Sequence, residues 1–270
     1  MLIGQKPLIY LDSAASSLTP TPVLEAMQEY YTAYRANVPR SIHQVGEKAT
    51  AAFEHARATI AAHINAQQEE IIFTRGTTES INLVARMLRK EIAQKDQSVL
   101  SQMEHHSNLL PWQRLARETG AQLRYIKVTN EGMLDMDDAR SAITKNTKIV
   151  ACTLMSNVLG TINDVRALAE YAHSVGAIMI VDAAQAMLHL PVDVQKLNCD
   201  VLCFSGHKMM GPTGIGVLYA RKTLLEQWEP ECVGGEMVLE VDWTSATWTQ
   251  LPGKFEAGTP TIAGVIGLGA

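Results

Sequence analysis

Residues 148–182 read KIVACTLMSNVLGTINDVRALAEYAHSVGAIMIVD. An apolar run, KIVACTL (148–154), gives way to turn residues. A helical segment then starts at Asp164, and a second apolar run follows, AIMIVD (177–182). Strand, helix and strand, with the strands apolar almost throughout, mark a crossover unit in a sheet buried on both faces. The unit repeats outward. On the N-terminal side come IIFT (71–74), a helix from Thr77, SVLS (98–101), a helix from Asn108, QLRYIKV (122–128) and a helix from Asp135. On the C-terminal side VLCFS (201–205) and GIGVLYA (214–220) follow so closely that the two strands are expected to pair or lie adjacent. Near the start, LIYL (8–11) reads as a strand followed by the turn residues Asp12 and Ser13. Pro22 opens a helix with Val23, Met27, Tyr30, Tyr31 and Tyr34 near one face, and the alanine-rich stretch 47–64 reads as a second helix. From Pro230 to Pro260 the pattern loosens into Gly, Trp and Thr, as in a long surface or interface loop. The expected fold is α/β, a mainly parallel mixed sheet with helices on both faces, in one large domain over residues 1–270. The apolar, glycine-rich end TIAGVIGLGA has neither cap nor polar tail. It is expected to be a domain incomplete at its C-terminus, with an exposed, aggregation-prone tail.

Composition narrows the function classes. The chain is 47% apolar and 19% charged, so it buries a large core and is not disordered. With 28 acidic and 23 basic residues the net charge is −5, and no Lys/Arg cluster offers a nucleic-acid or anionic-membrane surface. Lys6, Pro7 and Asp12 interrupt any signal-type run, and Asp182 ends the longest apolar stretch far short of the ~18 residues of a membrane span. Four scattered cysteines (Cys152, Cys199, Cys203, Cys232) suit reduced thiols in the cytoplasm, and no second ligand pair completes a zinc site with Cys199 and Cys203.

Five polar constellations follow strands. Thr74-Arg75-Gly76-Thr77-Thr78-Glu79 places a glycine turn and two hydroxyls at a helix start, either a phosphate site or an ordinary cap. Asp182 ends a strand, where an acid faces the ligand crevice of an open sheet and can pair with a protonated ring nitrogen; a solvated turn aspartate is the alternative. In Ser205-Gly206-His207-Lys208, a lysine in a tight turn is poorly solvated and able to form a Schiff base, or is simply a surface lysine. Within Glu104-His105-His106-Ser107-Asn108, an imidazole can stack on a flat ring and shuttle a proton, or is a satisfied histidine at a helix start. Adjacent histidines rarely share a metal, so no metal site is expected. Asn157, in Met155–Gly160, offers an amide to the same crevice or serves a turn. Each motif alone is weak. Together they supply a phosphate cradle, a lysine amine, a ring-nitrogen carboxylate and a stacking imidazole, the parts that pyridoxal 5′-phosphate requires.

The segments EHHSNLLPWQ (104–113), VDAAQ (181–185), SGHKMMGPTGIGVLY (205–219), SNVLGT (156–161), TRGTTESINLVA (74–85) and FEAGTP (255–260) resemble the cysteine desulfurases and selenocysteine lyases of the class V aminotransferase group. The likeness runs from YLDSAAS at residue 10 to IGLGA at the end, and it includes the 26-position spacing of Asp182 and Lys208. It implies the large domain of a fold-type I pyridoxal-phosphate enzyme, without the C-terminal small domain. It also implies roles. Lys208 holds the cofactor covalently and moves substrate protons, His105 stacks on the ring, and Asp182 pairs with its nitrogen. Gln185 and Asn157 meet the ring-oxygen side, while Thr77, Thr78, Ser205 and His207 hold the phosphate. Thr259 reaches the phosphate of a partner subunit, which makes a homodimer part of the site.

Such an enzyme takes sulfur from L-cysteine, leaves L-alanine and an enzyme persulfide, and passes sulfur to an acceptor protein in the cytoplasm. Selenocysteine lysis, another class V reaction, or a truncated non-catalytic module that binds only the cofactor are the alternatives. Two departures stand out: Ala183 replaces a common glycine, and Ala36-Asn37-Val38-Pro39-Arg40 lacks the histidine often found before the arginine. The family's nucleophilic cysteine and substrate-carboxylate arginine have no counterpart in this chain, and none of its four cysteines has a matching context. This 270-residue chain is therefore not expected to form a persulfide.

Overall fold

The structure is a computed structural model that describes residues 2–38 and 42–270, so Pro39 and Arg40 of the departing segment lie outside it. A short hairpin, β1 (Leu2–Ile3) with β2 (Lys6–Pro7), precedes α1 (Thr21–Ala33) and α2 (Gln44–His63). The main sheet then accumulates in chain order as β3 (Ile71–Thr74), β4 (Gln97–Ser101), β5 (Gln122–Ile126), β6 (Thr147–Thr153), β7 (Ile178–Asp182), β8 (Val201–Ser205) and β9 (Gly216–Ala220). Between these strands run α3 (Thr77–Met87), α4 (Leu110–Thr119), α5 (Met136–Ala142), α6 (Val165–Ser174), and the one-turn helices α7 (Ala186–His189) and α8 (Val194–Leu197). After β9 come α9 (Lys222–Gln227), the hairpin β10 (Val238–Val241) with β11 (Ala246–Trp248), and α10 (Ile262–Gly269).

The seven strands lie in the order β3-β9-β8-β7-β6-β4-β5. β9 runs antiparallel to both neighbours, and the other pairings are parallel, so the C-terminal ends of β3 to β8 share one edge. Successive strand residues point to opposite faces. Val99, Val150 and Val181 thus meet α2, α5 and α6, while Leu100, Ile149 and Ile180 meet α3 and α4. Both faces are covered, which is why the strands read as continuous apolar runs.

Four sequence expectations need correction. LIYL (8–11) is not a strand: Ile9 is 80% and Leu11 89% exposed, and among the described residues no neighbour offers the segment a ladder. Tyr31 points outward at 57% exposure, while Tyr30 and Tyr34 are buried. The stretch 230–260 is partly regular. Asp242 accepts from Thr244 N at 2.7 Å and Ser245 N at 2.8 Å, and this turn closes the β10–β11 hairpin. Finally, the apolar tail is not exposed. It forms α10, whose Ile262, Val265 and Ile266 are buried against Tyr30, Phe53 and Ala56 of α1 and α2. Among the described residues no helix is long and apolar enough to cross a membrane.

Candidate active site

A cavity of about 510 Å³ opens at the shared C-terminal edge of the sheet, where Thr77, Thr78, His105, Asn157, Asp182, Gln185, Ser205, His207 and Lys208 all line it. Residues spread over more than 130 positions of sequence therefore converge, as parallel crossovers require.

One end is built on the first turn of α3. Gly76 caps this helix at φ 147°, a conformation costly for any side chain, and a Cβ there would lie 3.0 Å from Ser205 Oγ. The glycine lets β8 approach, and Thr77 N then donates to Ser205 Oγ at 2.8 Å, with the two hydroxyls also 2.8 Å apart. Gly216 serves the same approach from β9, since a Cβ there would lie 2.3 Å from Gly76 Cα. Hydroxyls, the first turn of α3 and the positive end of its dipole make this end suited to an anion.

The other end is carboxylate and imidazole. Asp182 is 3% exposed, and among the described residues its carboxylate accepts one hydrogen bond, from Ala184 N at 2.9 Å. Burial pushes its carboxyl up to about 6, against the pull of the Ala184 amide and Lys208. His105 Nδ1 accepts from Ser107 N at 3.1 Å, which leaves the neutral ring's proton on Nε2. Burial, then Lys208 and His106, hold that imidazole below the usual histidine range. Burial and Lys208 lower His207 in the same way. Lys208 is half-buried between the two ends and makes no hydrogen bond or ion pair among the described residues.

Several wall residues carried no clear signal in the sequence. Ser107 Oγ lies 2.7 Å from Thr78 Oγ1 and 3.0 Å from His105 Nδ1, so it links the two ends of the site. Ala14 and Ala15 form a wall, because the chain just after the expected strand and turn crosses the mouth as a strap. Ser17 N donates to His207 O at 2.9 Å, and Gln185 Nε2 donates to Ala14 O at 2.7 Å. Thr153 and Met155 also line the cavity.

Thr259 stands apart. It is exposed and lines a second cavity of about 580 Å³ with Arg75, Gly214 and Cys232. Arg57 holds the preceding Glu256 through a bidentate pair at 2.9 and 2.8 Å. Ala183 is fully buried and outside the left-handed region, so its methyl brings no backbone strain where glycine is common. Among the described residues no His, Cys, Asp and Glu group is arranged to hold a metal.

The Aminotransferase class-V family model matches residues 9–270. The chain belongs to the class-V aminotransferase family. Within it, this class-V chain is 52% identical to a probable cysteine desulfurase of Halalkalibacterium halodurans, over 99% of its own length and 66% of the relative's. The apo structure of a cysteine desulfurase from Thermococcus onnurineus superposes with a TM-score of 0.94 at 49% identity, covering 97% of this chain and 65% of that one. A second similar structure, SspA in complex with cysteine, has a TM-score of 0.84 and 31% identity, with coverages of 96% and 71%. The mixed sheet is thus the fold-type I arrangement of cysteine desulfurases. This class-V chain spans about two thirds of the length of its desulfurase relatives.

Proposed function

We propose that the cavity binds pyridoxal 5′-phosphate and that this chain carries the cofactor-binding part of a cysteine desulfurase, which takes sulfur from L-cysteine and leaves L-alanine. The observation that carries the reading is Asp182, a buried carboxylate with a single donor among the described residues, in the cavity that Lys208 and His105 also line. Such a carboxylate is stabilised by a cation beside it, and a protonated pyridine nitrogen is one. The remaining residues fit the group. Thr77, Thr78, Ser205 and His207 offer donors for a phosphate at the α3 end, and Asn157 and Gln185 offer amides for the ring-oxygen side.

When bound, pyridoxal phosphate supplies an electron sink for charge left on the substrate's α-carbon. Asp182 keeps the proton on the ring nitrogen, and His105 presents its imidazole to the ring. Lys208 Nζ would hold the cofactor and would carry the substrate's proton. The names of the relatives and the cysteine held by SspA support cysteine as substrate. Thr259 serves the phosphate site of a second copy in a homodimer, and a sulfur-acceptor protein in the cytoplasm completes the reading.

In this reading none of the four cysteines supplies the sulfur-accepting thiol. Burial pushes the Cys199 thiol up to about 12 and those of Cys152 and Cys203 well above the ordinary range. Cys232 is exposed but lines the other cavity.

Borohydride reduction of the cofactor-loaded chain, followed by peptide mapping, is expected to place the pyridoxyl label on Lys208. Label on another lysine, or none, contradicts the assignment.

A further inference from the structure

The crevice between β4 and β6 is where the sheet changes winding direction, since β4 leads outward to β5 and the chain then returns to β6 on its other side. Glu104 sits there. It does not line the cavity, and its carboxylate collects three donors from three different elements. Ser101 Oγ comes from the end of β4, Asn108 Nδ2 at 2.6 Å from the turn before α4, and Thr153 N at 2.9 Å from the end of β6. Leu100–Ala151 is the last registered pair of β4 and β6, so Glu104 takes up the Thr153 amide that the ladder no longer serves. Asn108 extends the link inward, because its Oδ1 accepts from Trp112 Nε1 at 2.9 Å and both residues are fully buried.

We propose that Glu104 is a positioning residue: its carboxyl fastens the turn that carries His105 to the ends of β4 and β6, and thereby sets the imidazole in the cavity. The contacts stand by themselves; the ligand that the imidazole meets rests on the functional reading above. His105 is exposed, and among the described residues its ring hydrogen-bonds to Ser107 and otherwise meets the tilted ring of His106 at 5.8 Å. Its backbone is confined between Glu104, tied to two strands, and Asn108, tied to the core. The same acid holds Thr153 N, and Thr153 is paired in register with Asp182, so one group sets the spacing of imidazole and carboxylate. Burial lifts the Glu104 carboxyl to about 7, against its three donors and with a further push from Asp182. The Ser101 hydroxyl can donate to it or accept from it, so the link survives in either protonation state. Glutamine cannot replace it. Its NH₂ would face either Asn108 Nδ2 or Thr153 N, donor against donor.

The test is Glu104→Gln in the 270-residue chain, read in two ways. Without cofactor, NMR titration of the histidine rings is expected to show the His105 midpoint rising by roughly half a pH unit or more as the ring loosens, with His207 unmoved. An unchanged His105 midpoint, or equal shifts in both rings, overturns the proposal. With pyridoxal phosphate, Glu104→Gln is expected to weaken cofactor binding roughly tenfold and to reduce the dichroism of the cofactor band. In a His105→Ala background the same change should cost less than about twofold. An equal loss in both backgrounds, or a change in thermal stability alone, assigns Glu104 to the core and overturns the positioning role. If the parent chain takes up no cofactor, the functional reading fails while the ring titration still decides this proposal. Ser101→Ala, which removes one donor, carries the same two readouts should Glu104→Gln fail to fold.

Discussion

Gln185 Nε2 donates to the carbonyl of Ala14 at 2.7 Å, a bond between residues 171 positions apart. It closes the N-terminal strap over the cavity. On the opposite side Ser17 Oγ donates to His207 O at 3.0 Å and accepts from Met210 N at 2.6 Å, so the strap joins the amide at one end of the site to the turn bearing His207 and Lys208. Ser17→Ala removes both of these side-chain bonds. It is expected to weaken pyridoxal-phosphate binding roughly tenfold, about 1.4 kcal/mol, in a fluorescence titration. Unchanged affinity would show that the strap is not part of the site.

The pH dependence of the cofactor-free chain follows from Asp182. Its folded value of about 6 lies above the ordinary 3.8, so the folded state holds a proton that the unfolded chain has released. That contribution is complete below pH 3.8 and is lost as pH rises through 6. The loss is on the order of 3 kcal/mol at most. Glu104, lifted to about 7, adds a slope of the same sign. Asp182→Asn is expected to flatten part of this limb and to make the cofactor-free chain more stable than its parent at pH 8. Urea unfolding at pH 4.5 and pH 8 measures it, and identical slopes in the two proteins would refute it.

Gly76 tests the cradle. Gly76→Ala forces a side chain to φ 147° and toward Ser205 Oγ at 3.0 Å. The cost is expected to be about 1–3 kcal/mol, with weaker binding of inorganic phosphate. Gly235→Ala is the control. No atom lies within 4 Å of a Cβ there, and its effect should stay within about 0.5 kcal/mol.

Arg57 is 2% exposed and is paired with Glu256, donates to Ile71 O at 2.7 Å, and lies over the Phe53 and Phe73 rings. Arg57→Ala leaves the partner carboxylate poorly compensated and is expected to cost about 3–5 kcal/mol in denaturant unfolding. Arg57→Ala with Glu256→Gln should recover part of that. A loss below about 1 kcal/mol would show the pair to be peripheral.

Incubated with L-cysteine and pyridoxal phosphate, the 270-residue chain is expected to yield no protein-bound cyanolysable sulfur. Cys232→Ser should leave the result unchanged. Bound sulfur that disappears in Cys232→Ser would make Cys232 the acceptor.

The expected strands failed or succeeded according to what they could pair with. VLCFS and GIGVLYA were legible because each is apolar on both faces and too near the other in sequence to avoid pairing. LIYL has a similar composition, but a strand exists only through a partner's ladder, and local composition carries no information about which edges are vacant. The α10 segment misled for a related reason. Its lack of polar residues looked like exposure to be avoided, whereas it marks a helix enclosed by α1 and α2.

The amino-acid order alone determined the alternation of strand and helix, the sheet edge at which the candidate residues gather, and nine of the ten candidates, which line one cavity. Those depend on short-range periodicity and on the rule that parallel crossovers bring strand ends together. Tertiary structure alone decided the strap over the mouth, the Ser107 link between the two ends, the inward turn of Glu104, and the separation of Thr259 from this cavity. Each depends on contacts between distant segments, whose distances are set by packing and not by spacing along the chain.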